Sequence, residues 1–360
     1  MKFIHASDFH LCSCFRTSSL PAQTAAEHRD QLWRTFGSII ETCRVQQVDL
    51  LLISGDLYEH EYAKISDVKR IADAFESIPK TKIFISCGNH DPLYEQSYYR
   101  ILQFPNNVFI FPPEMTSFEI PELNCIIHGF SWNRSRYENV PFEWPKTDPG
   151  KTNILMLHCD VLNQSFYLPT DPSVLAKLPF QYIALGHIHK SMQVKNHIFY
   201  SGSPEPLDFG EEGKHGYFIG ELTKERLTVK FIRSAKRSFL SIRLPLNGSM
   251  NNNDIKDAVR NACADCPEQN IYRVSFEGSL SPLVDLPELM KELQSEYYCL
   301  LWEDHSSADY DLSALYEQNQ NNLIGKYIEL LSSQTSDDPI AEKAIRYGLS
   351  ALLEQNGGRA

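Results

Sequence analysis

Short runs of apolar residues alternate with helical patterns in the first half of the chain. The runs at 48–54 and 82–87 are almost purely apolar, which is typical of strands covered on both faces. Apolar residues recur at helical spacing across 21–47 and 65–78, and a further helix is predicted around 94–104. This alternation predicts an α/β core in which helices cover a sheet on both sides.

The rest of the chain follows a different rhythm. After strands predicted at 124–129, 152–157 and 181–185, the segment from Ile198 to Ile232 is expected to be rich in β-structure. From Ser238 the pattern predicts a small α+β module, with strands at 241–246, 271–276 and 299–303 and helices at 254–266 and 286–297.

A helical tail is predicted from about Asp311. Its first helix places two apolar sets on one face, Leu323, Tyr327 and Leu330 with Ile324, Ile328 and Leu331. The second is expected to begin at Asp338 and Pro339, a favourable N-cap and first-turn pair, and to line up Ala341, Ala344, Ile345, Leu349 and Leu352.

Residue types that bind metals stand where the predicted strands end. They are Asp8, His10, Asp56, Asn89, His90, His158, His187 and His189. Ligands of open α/β sheets bind beyond the carboxyl ends of the strands, so these side chains are expected to meet. A single histidine at a strand end is more often structural, and Asp8 alone could cap a turn. Five strand ends that all carry such residues instead indicate a metal centre.

The mixture of nitrogen and oxygen donors suits Mn, Fe or Zn. Even seven of these side chains are more ligands than one metal usually takes from a protein, so a pair of metals bridged by a carboxylate is expected. Two such cations, roughly 3.5–4 Å apart, activate a water and stabilise the charge that develops at phosphorus. The donor set therefore favours phosphoester hydrolysis.

Composition limits location and partners. The nine cysteines lack the spacing of a disulfide framework, which favours a reducing compartment, and no leader or long apolar span is visible. We therefore expect a cytoplasmic protein without a membrane span. The net charge is −12, but residues 1–266 hold 28 basic and 30 acidic residues, whereas 267–360 hold 6 and 16. Attraction for a polyanion must come from the first part, helped by bound cations.

The strand-end motifs together resemble the full signature of the calcineurin-like metallophosphoesterase superfamily, in the same order. The motifs are Asp8-Phe9-His10, Gly55-Asp56, Gly88-Asn89-His90-Asp91, His158 and Gly186-His187-Ile188-His189. The resemblance covers about residues 1–235. It implies a four-layer β-sandwich flanked by helices, so two sheets replace the single sheet expected from the pattern.

The resemblance also implies roles for individual residues. Around one metal it places Asp8, His10, Asp56 and His189, and around the other Asp56, Asn89, His158 and His187, with Asp56 bridging. It implies that His90 contacts the phosphate and protonates the leaving oxygen, and that Asp91 orients His90 and raises its pKa. The family usually has Asp or His where this chain has Glu59, followed by His60. This difference leaves open whether a second histidine helps to position the phosphate, and with it the balance of exonuclease and endonuclease activity.

Within the superfamily, the stretch from Tyr200 to Glu211 resembles the SbcD-type DNA repair exonucleases, which work with an SMC-like ABC ATPase. That resemblance implies a nuclease domain at 1–235, a DNA-capping module at 238–310 and a tail at 311–360 that binds the ATPase coiled coil. Packing of the tail against its own domain explains its apolar stripes equally well.

The leading hypothesis is a DNA exonuclease or endonuclease with two divalent metals, Mn²⁺ first and Fe²⁺ or Zn²⁺ as alternatives. DNA and the ATPase are its expected partners, and a homodimer is a further option. Two alternatives stay open: a phosphatase or phosphodiesterase for a small molecule, and a non-catalytic scaffold for DNA or the ATPase. The complete set of donors speaks against a scaffold.

Basic residues in two segments are candidate DNA contacts. Residues 214–237 contain seven Lys and Arg against two acidic residues, and another pair of arginines lies among aromatic residues near Trp132 and Tyr137. Such residues hold phosphates and stack on bases, although a solvated strand face gives the same pattern. The candidates are Arg134, Arg136, Lys230, Arg233, Lys236 and Arg237.

Overall fold

The computed structural model describes residues 1–15, 20–162, 166–332, 347–349 and 351–353. Two compact units divide the chain, Met1–Ser238 and Phe239–Ala360. In the described residues, no helix is long and apolar enough to cross a membrane.

Twelve strands of the first unit form two sheets of six. The strands are β1 Lys2–Ala6, β2 Leu50–Ile53, β3 Lys82–Ile85, β4 Val108–Ile110, β5 Thr116–Ile120, β6 Cys125–Gly129, β7 Thr152–His158, β8 Tyr182–Gly186, β9 Met192–Lys195, β10 Ile198–Tyr200, β11 Gly216–Leu222 and β12 Leu227–Arg233. The first sheet has the order β12-β11-β1-β2-β3-β4 and the second β5-β6-β7-β8-β10-β9. Strands β1 to β4 are parallel, as are β6, β7, β8 and β10.

The two sheets pack face to face, which confirms the predicted sandwich. Phe3, Leu52 and Phe84 of the first sheet share a buried cluster with Met156 and Tyr182 of the second. The opposite faces are also apolar, which explains why the strands are continuous apolar runs rather than alternating ones. The inner cluster and the two outer ones leave both sheets covered on both sides.

Helices α1 (Ala22–Val45) and α2 (Ile65–Glu76) cover the outer face of the first sheet. The outer face of the second sheet packs against α4 (Pro172–Leu175) and the loop at 130–144. The helix predicted at 94–104 is only the single turn α3 (Tyr98–Ile101). It begins late because Ser97 is its N-cap, and it ends where the backbone of Leu102 becomes extended.

The second unit alternates strand and helix. It contains β13 Phe239–Leu246, α5 Asn252–Ala262, β14 Ile271–Leu280, α6 Leu286–Leu293 and β15 Cys299–Ala308. All three strands are parallel, so the predicted module has a βαβαβ connection. Helix α5 starts two residues before its predicted position because Asn251 and Asp254 form a capping box.

The tail begins with α7 (Leu312–Asn319) and α8 (Leu323–Ser332). Ile324 and Ile328 of α8 are buried together with Leu349, whereas Leu323 and Leu330 are 67% and 57% exposed. The two apolar sets of α8 thus have different environments. The predicted start of the second tail helix at Asp338 and Pro339, with Ala341, Ala344 and Ile345, lies outside the described residues.

Candidate metal centre

The predicted metal ligands lie together where strands of both sheets end. The backbone N–H of His187, after β8, donates to Asp8 Oδ1 after β1 (3.0 Å). His158, at the end of β7, donates from Nδ1 to the carbonyl of Ser54 after β2 (2.9 Å). These bonds join the two sheets at the site.

Four of these residues have a left-handed backbone. The φ angles are 53° at Asp8, 45° at His10, 51° at Asp56 and 98° at His187. Such a conformation costs on the order of 1 kcal/mol or more for a residue other than glycine, and it is common at functional sites. Backbone bonds hold the strained turns: Asp8 N–H donates to Gly55 O and His10 N–H to Asp56 O, both at 3.0 Å.

The buried imidazole of His10 and the partly exposed imidazole of His189 face each other with a positive charge between them. His10 Nε2 and His189 Nε2 are 3.1 Å apart. Each ring donates its other nitrogen to a carboxylate, His10 to Glu59 (2.7 Å) and His189 to Glu211 (2.5 Å). Burial would lower the pKa of His189, but the charge of Glu211 raises it to about 9, so without a metal a proton on His189 Nε2 fills the space between the two rings. When that proton leaves, both Nε2 atoms present lone pairs, and two acceptors cannot bond to one another. A cation fits this arrangement, and Asp8 lies in the same group of donors.

A second group of acceptors surrounds His158 Nε2. Asn89 Oδ1 is 2.9 Å and Asp56 Oδ2 is 3.1 Å from that nitrogen. Burial would lower the pKa of His158, but the charges of Asp56 and Asp8 raise it to about 9. The site thus attracts positive charge at this point too. Donor atoms of Asp8, Asp56 and His158 lie within 4.8 Å of one another.

His187 stands at the margin of this second group. Its ring centroid is 5.2 Å from that of His158 and 4.7 Å from that of Tyr167. Burial, followed by the neighbouring His158, lowers the pKa of His187 to about 4, so the imidazole is neutral and keeps a lone pair. Among the described residues, its side chain is outside the three donor groups that reach within 4.8 Å.

His90 is held by Glu59. His90 Nδ1 donates to Glu59 Oε2 (2.9 Å), while Glu59 Oε1 accepts from His10. Burial would raise the pKa of Glu59, but the two histidine bonds lower it to about 2. Burial alone would lower the pKa of His90, but the bond to Glu59 and the charge of Asp56 raise it to about 9. One carboxylate therefore connects a predicted metal ligand with the predicted proton donor.

The expectation that Asp91 orients His90 was wrong. The carboxylate of Asp91 is buried and accepts hydrogen bonds from the backbone N–H groups of Gly88 (2.7 Å), Asp56 (3.1 Å) and Leu57 (2.9 Å) and from Tyr99 Oη (2.7 Å). It turns back toward these donors because they would otherwise be buried without a partner. Asp91 thus braces the turns that carry the ligands, and its charge adds only a minor upward contribution to the pKa of His90.

A family model described as calcineurin-like phosphoesterase matches residues 1–191, more than half of the chain. The chain belongs to this family. It is similar to the uncharacterized metallophosphoesterase YhaO of Bacillus subtilis strain 168, with 27% identity over 248 residues, 65% of this chain and 60% of that protein. It is also similar to SbcD, a subunit of the nuclease SbcCD, of Staphylococcus saprophyticus, with 25% identity over 268 residues, 64% of this chain and 68% of that protein. The match to YhaO thus spans less than two thirds of that relative's length.

Calcineurin-like phosphoesterases bind two divalent metals, and the donor groups of this chain fit that requirement. The family and the donor groups together support metal-dependent phosphoesterase chemistry. Its cleft above the donors has a volume of about 330 Å³ and is lined by His90 together with acidic residues. These are Glu59, Glu61, Asp208 and Glu211. A phosphate meets repulsion there unless cations are bound.

Arg134 and Arg136 lie on a loop that is linked to the predicted metal ligand His187 through aromatic residues. Both are exposed, with Arg134 over the ring of Tyr137 (4.9 Å) and Arg136 over that of Phe166 (5.9 Å). Their loop is bonded to the segment at 166–168, since Tyr137 N–H donates to Phe166 O (2.9 Å). The next residue, Tyr167, contacts the ring of His187.

The candidate DNA contacts in residues 214–237 differ in their exposure and position. Arg233 and Lys236 are exposed, but Arg237 is only 8% exposed, so its proposed role as a surface DNA contact is wrong. Lys230 lines a groove with Lys2 and Gln46, at the start of β1 and the end of α1, away from the carboxyl ends of the strands. Lys230, Arg233 and Lys236 stay predictions.

Sequence reasoning missed the carboxylates that hold the histidines. Glu59 follows Gly55-Asp56 by three residues and was noticed only as a departure from the family pattern. Glu211 closes the stretch from Tyr200 that was noticed only for a resemblance. In both cases the signal was an acidic residue near a ligand motif, but the spacing alone does not show which histidine it contacts.

Proposed function

We propose that the chain is a DNA phosphodiester hydrolase that requires two divalent metals, with Mn²⁺ as the first candidate. The observation that carries this proposal is the position of His90. Its side chain is 43% exposed, whereas those of His10 and His158 are buried. Because Nδ1 is bound to Glu59, Nε2 is the nitrogen left for a substrate oxygen.

The proposed roles follow from this geometry. Asp8, His10 and His189 would hold one cation, and Asp56, Asn89, His158 and His187 the other, with Asp56 between them. When bound, the cations supply activation of water and stabilisation of charge at phosphorus. His90 Nε2 donates a proton to the leaving oxygen, and Glu59 keeps the ring in place and favours its protonated form. Asp91 keeps the turn of Asn89 and His90 in position.

Two findings support DNA as the substrate. A relative at 25% identity is named as a subunit of the nuclease SbcCD. Arg134, Arg136 and the exposed ring of Phe166 lie on loops that reach His187 through Tyr167. Guanidinium groups next to exposed rings suit a phosphate backbone with unpaired bases. A small-molecule phosphoester is the second candidate, because the cleft of about 330 Å³ is large enough for one.

The deciding experiment compares two substrates in Mn²⁺, an end-labelled DNA duplex and bis-p-nitrophenyl phosphate. We expect a higher kcat/KM on DNA, and a loss of about 10²–10⁴-fold in kcat on replacing His90→Asn with both metals retained. Turnover of the chromogenic ester alone would favour the small-molecule alternative. Absence of both activities in metal-loaded protein would overturn the proposal.

A second comparison tests the DNA surface. Arg134→Ala combined with Arg136→Ala should lower kcat/KM on DNA and leave turnover of the chromogenic ester unchanged. Lys224→Ala combined with Arg226→Ala also removes two exposed positive charges, in the turn between β11 and β12 beside the start of β1, and is the matched control. Equal effects of the two changes on DNA cleavage would contradict the assignment of this surface.

We also propose that an SMC-like ABC ATPase is the partner, through the tail. The name of the relative describes one component of a nuclease, and Leu323 and Leu330 of α8 are exposed. A charged substitution at both leucines should abolish co-elution with the ATPase in size-exclusion chromatography while the phosphoesterase activity is kept. Unchanged co-elution would exclude α8 as the contact.

A further inference from the structure

We infer that Glu211 is a positioning residue for His189 and thereby sets the affinity of one metal site. The inference rests on the metal-dependent function proposed above. Glu211 lies beyond residues 1–191, the part that the family model matches. Among the described residues, its hydrogen bond to a predicted metal ligand is the one to His189, whereas Glu59 is shared between His10 and His90.

Both carboxylate oxygens and the carbonyl of Glu211 have hydrogen-bond partners. Oε1 accepts from His189 Nδ1 (2.5 Å), and Oε2 accepts from the backbone N–H of Leu207 (3.0 Å) and from Ser203 Oγ (3.3 Å). Its carbonyl accepts from His215 Nε2 (2.7 Å). The carboxylate is therefore fixed on both sides, and its orientation toward His189 follows from the loop.

That loop, residues 201–215, crosses from β10 in the second sheet to β11 in the first. It is attached at its start to the site itself. Ser201 Oγ and Ser7 Oγ are hydrogen-bonded at 2.7 Å, and the backbone N–H of Ser203 donates to the carbonyl of His189 (2.9 Å). Glu211 and the backbone of His189 are thus held by the same segment.

The consequence for the metal is chemical. A proton on His189 Nδ1, held by Glu211, leaves the lone pair on Nε2, the atom that faces His10 Nε2 at 3.1 Å. Without this acceptor the ring is free to rotate or to carry its proton on Nε2, where it would oppose a cation. A carboxylate behind a ligand histidine also makes the ligand more basic, and its loss typically costs 10–100-fold in metal affinity.

Glutamine cannot replace Glu211. If its amide oxygen accepts from His189, its NH₂ group faces the donors of Leu207 and Ser203. In the reverse orientation the NH₂ group faces the donating Nδ1 of His189. One donor-to-donor contact therefore results in either case, although size and shape hardly change.

The experiment is a titration of metal-free protein with Mn²⁺ alone, followed by EPR and by calorimetry, without any substrate. We expect Glu211→Gln to weaken one of two sites by 10–100-fold and to leave the other within about twofold. Glu212→Gln, an exposed neighbour with the same change of charge, should bind like the wild type. A folded Glu211→Gln protein with both wild-type affinities would overturn the inference.

A general loss of structure is separated from the positioning role by circular dichroism and thermal unfolding in EDTA. Should Glu211→Gln not fold, Ser203→Ala removes one bond to Oε2 together with the bond between Ser203 Oγ and His215 Nδ1. We expect it to weaken the same site by a few fold. Wild-type Mn²⁺ affinity in folded Ser203→Ala would then count against the inference. Wild-type protein that binds two Mn²⁺ but cleaves no DNA would overturn the proposed DNA activity alone.

Discussion

Glu205 is a buried carboxyl group whose ionisation should govern how the stability of the first unit depends on pH. It is 1% exposed and accepts hydrogen bonds from Thr35 Oγ1 (2.5 Å) and Gln31 Nε2 (3.2 Å) of α1 and from the backbone N–H of Lys236 (3.2 Å). Burial outweighs these bonds and raises the pKa of Glu205 from 4.5 to about 7.

The size of the effect follows from the difference between the two pKa values, about 2.5. Since one unit corresponds to about 1.4 kcal/mol, the folded protein binds this proton more tightly than the unfolded chain by about 3 kcal/mol. Because the pKa of this acid is higher in the folded protein than in the unfolded chain, protonation of Glu205 stabilises the fold. The stabilisation is complete below the unfolded pKa of about 4.5 and is lost as the pH rises through about 7.

Replacing Glu205→Gln keeps an acceptor for Thr35 and removes the ionisation. The free energies of unfolding of both proteins are measured in urea at about pH 5 and about pH 8. The free energy of unfolding of the variant minus that of the wild type should be about 3 kcal/mol larger at pH 8 than at pH 5. Glu212→Gln, on the surface, should show no such change. A difference between wild type and Glu205→Gln that is the same at both pH values would refute the reasoning.

Two further predictions concern the turns of the metal centre. A Cβ at Gly88 would lie 2.2 Å from Asp56 Oδ1, so Gly88→Ala should abolish binding of at least one Mn²⁺ in metal analysis. The control is Gly37→Ala, where a Cβ meets no atom within 4 Å. That variant should keep both metals, and its free energy of unfolding should rise by about 0.5–1 kcal/mol. Full metal content in Gly88→Ala would contradict this. Asp91→Asn places an NH₂ group against buried donors such as Tyr99 and should cost about 2 kcal/mol in urea unfolding with EDTA; wild-type stability would contradict the bracing role.

The sequence patterns predicted central strands better than edge strands. β2 is four buried aliphatic residues, so its apolar run is unmistakable. β4 (Val108–Ile110) has only three half-buried residues and exists because its backbone pairs with β3, as in Ile83 opposite Val108. Such pairing depends on a distant segment and leaves little trace in local sequence.

The same distinction applies to the site. Ligand candidates could be predicted because parallel strands of a sheet deliver their carboxyl ends to one edge. The pairing of acidic residues with histidines could not be predicted. Asp91 is next to His90 in the chain and yet faces buried N–H groups, whereas Glu59, 31 residues earlier, accepts the hydrogen bond from His90. The partner of His90 that the family resemblance implied was therefore the wrong one.

Charge balance connects these details to the substrate. Asp8, Asp56, Glu59 and Glu211 all face the donor histidines, so the centre holds four carboxylates. Two divalent cations would offset that charge and leave little excess attraction for a phosphodiester. On the proposed assignment, attraction would come from protonated His90 and from basic residues on neighbouring loops, with Arg134 and Arg136 as the first candidates. The metal centre can thus serve many phosphoesters, and the residues around it decide which one binds.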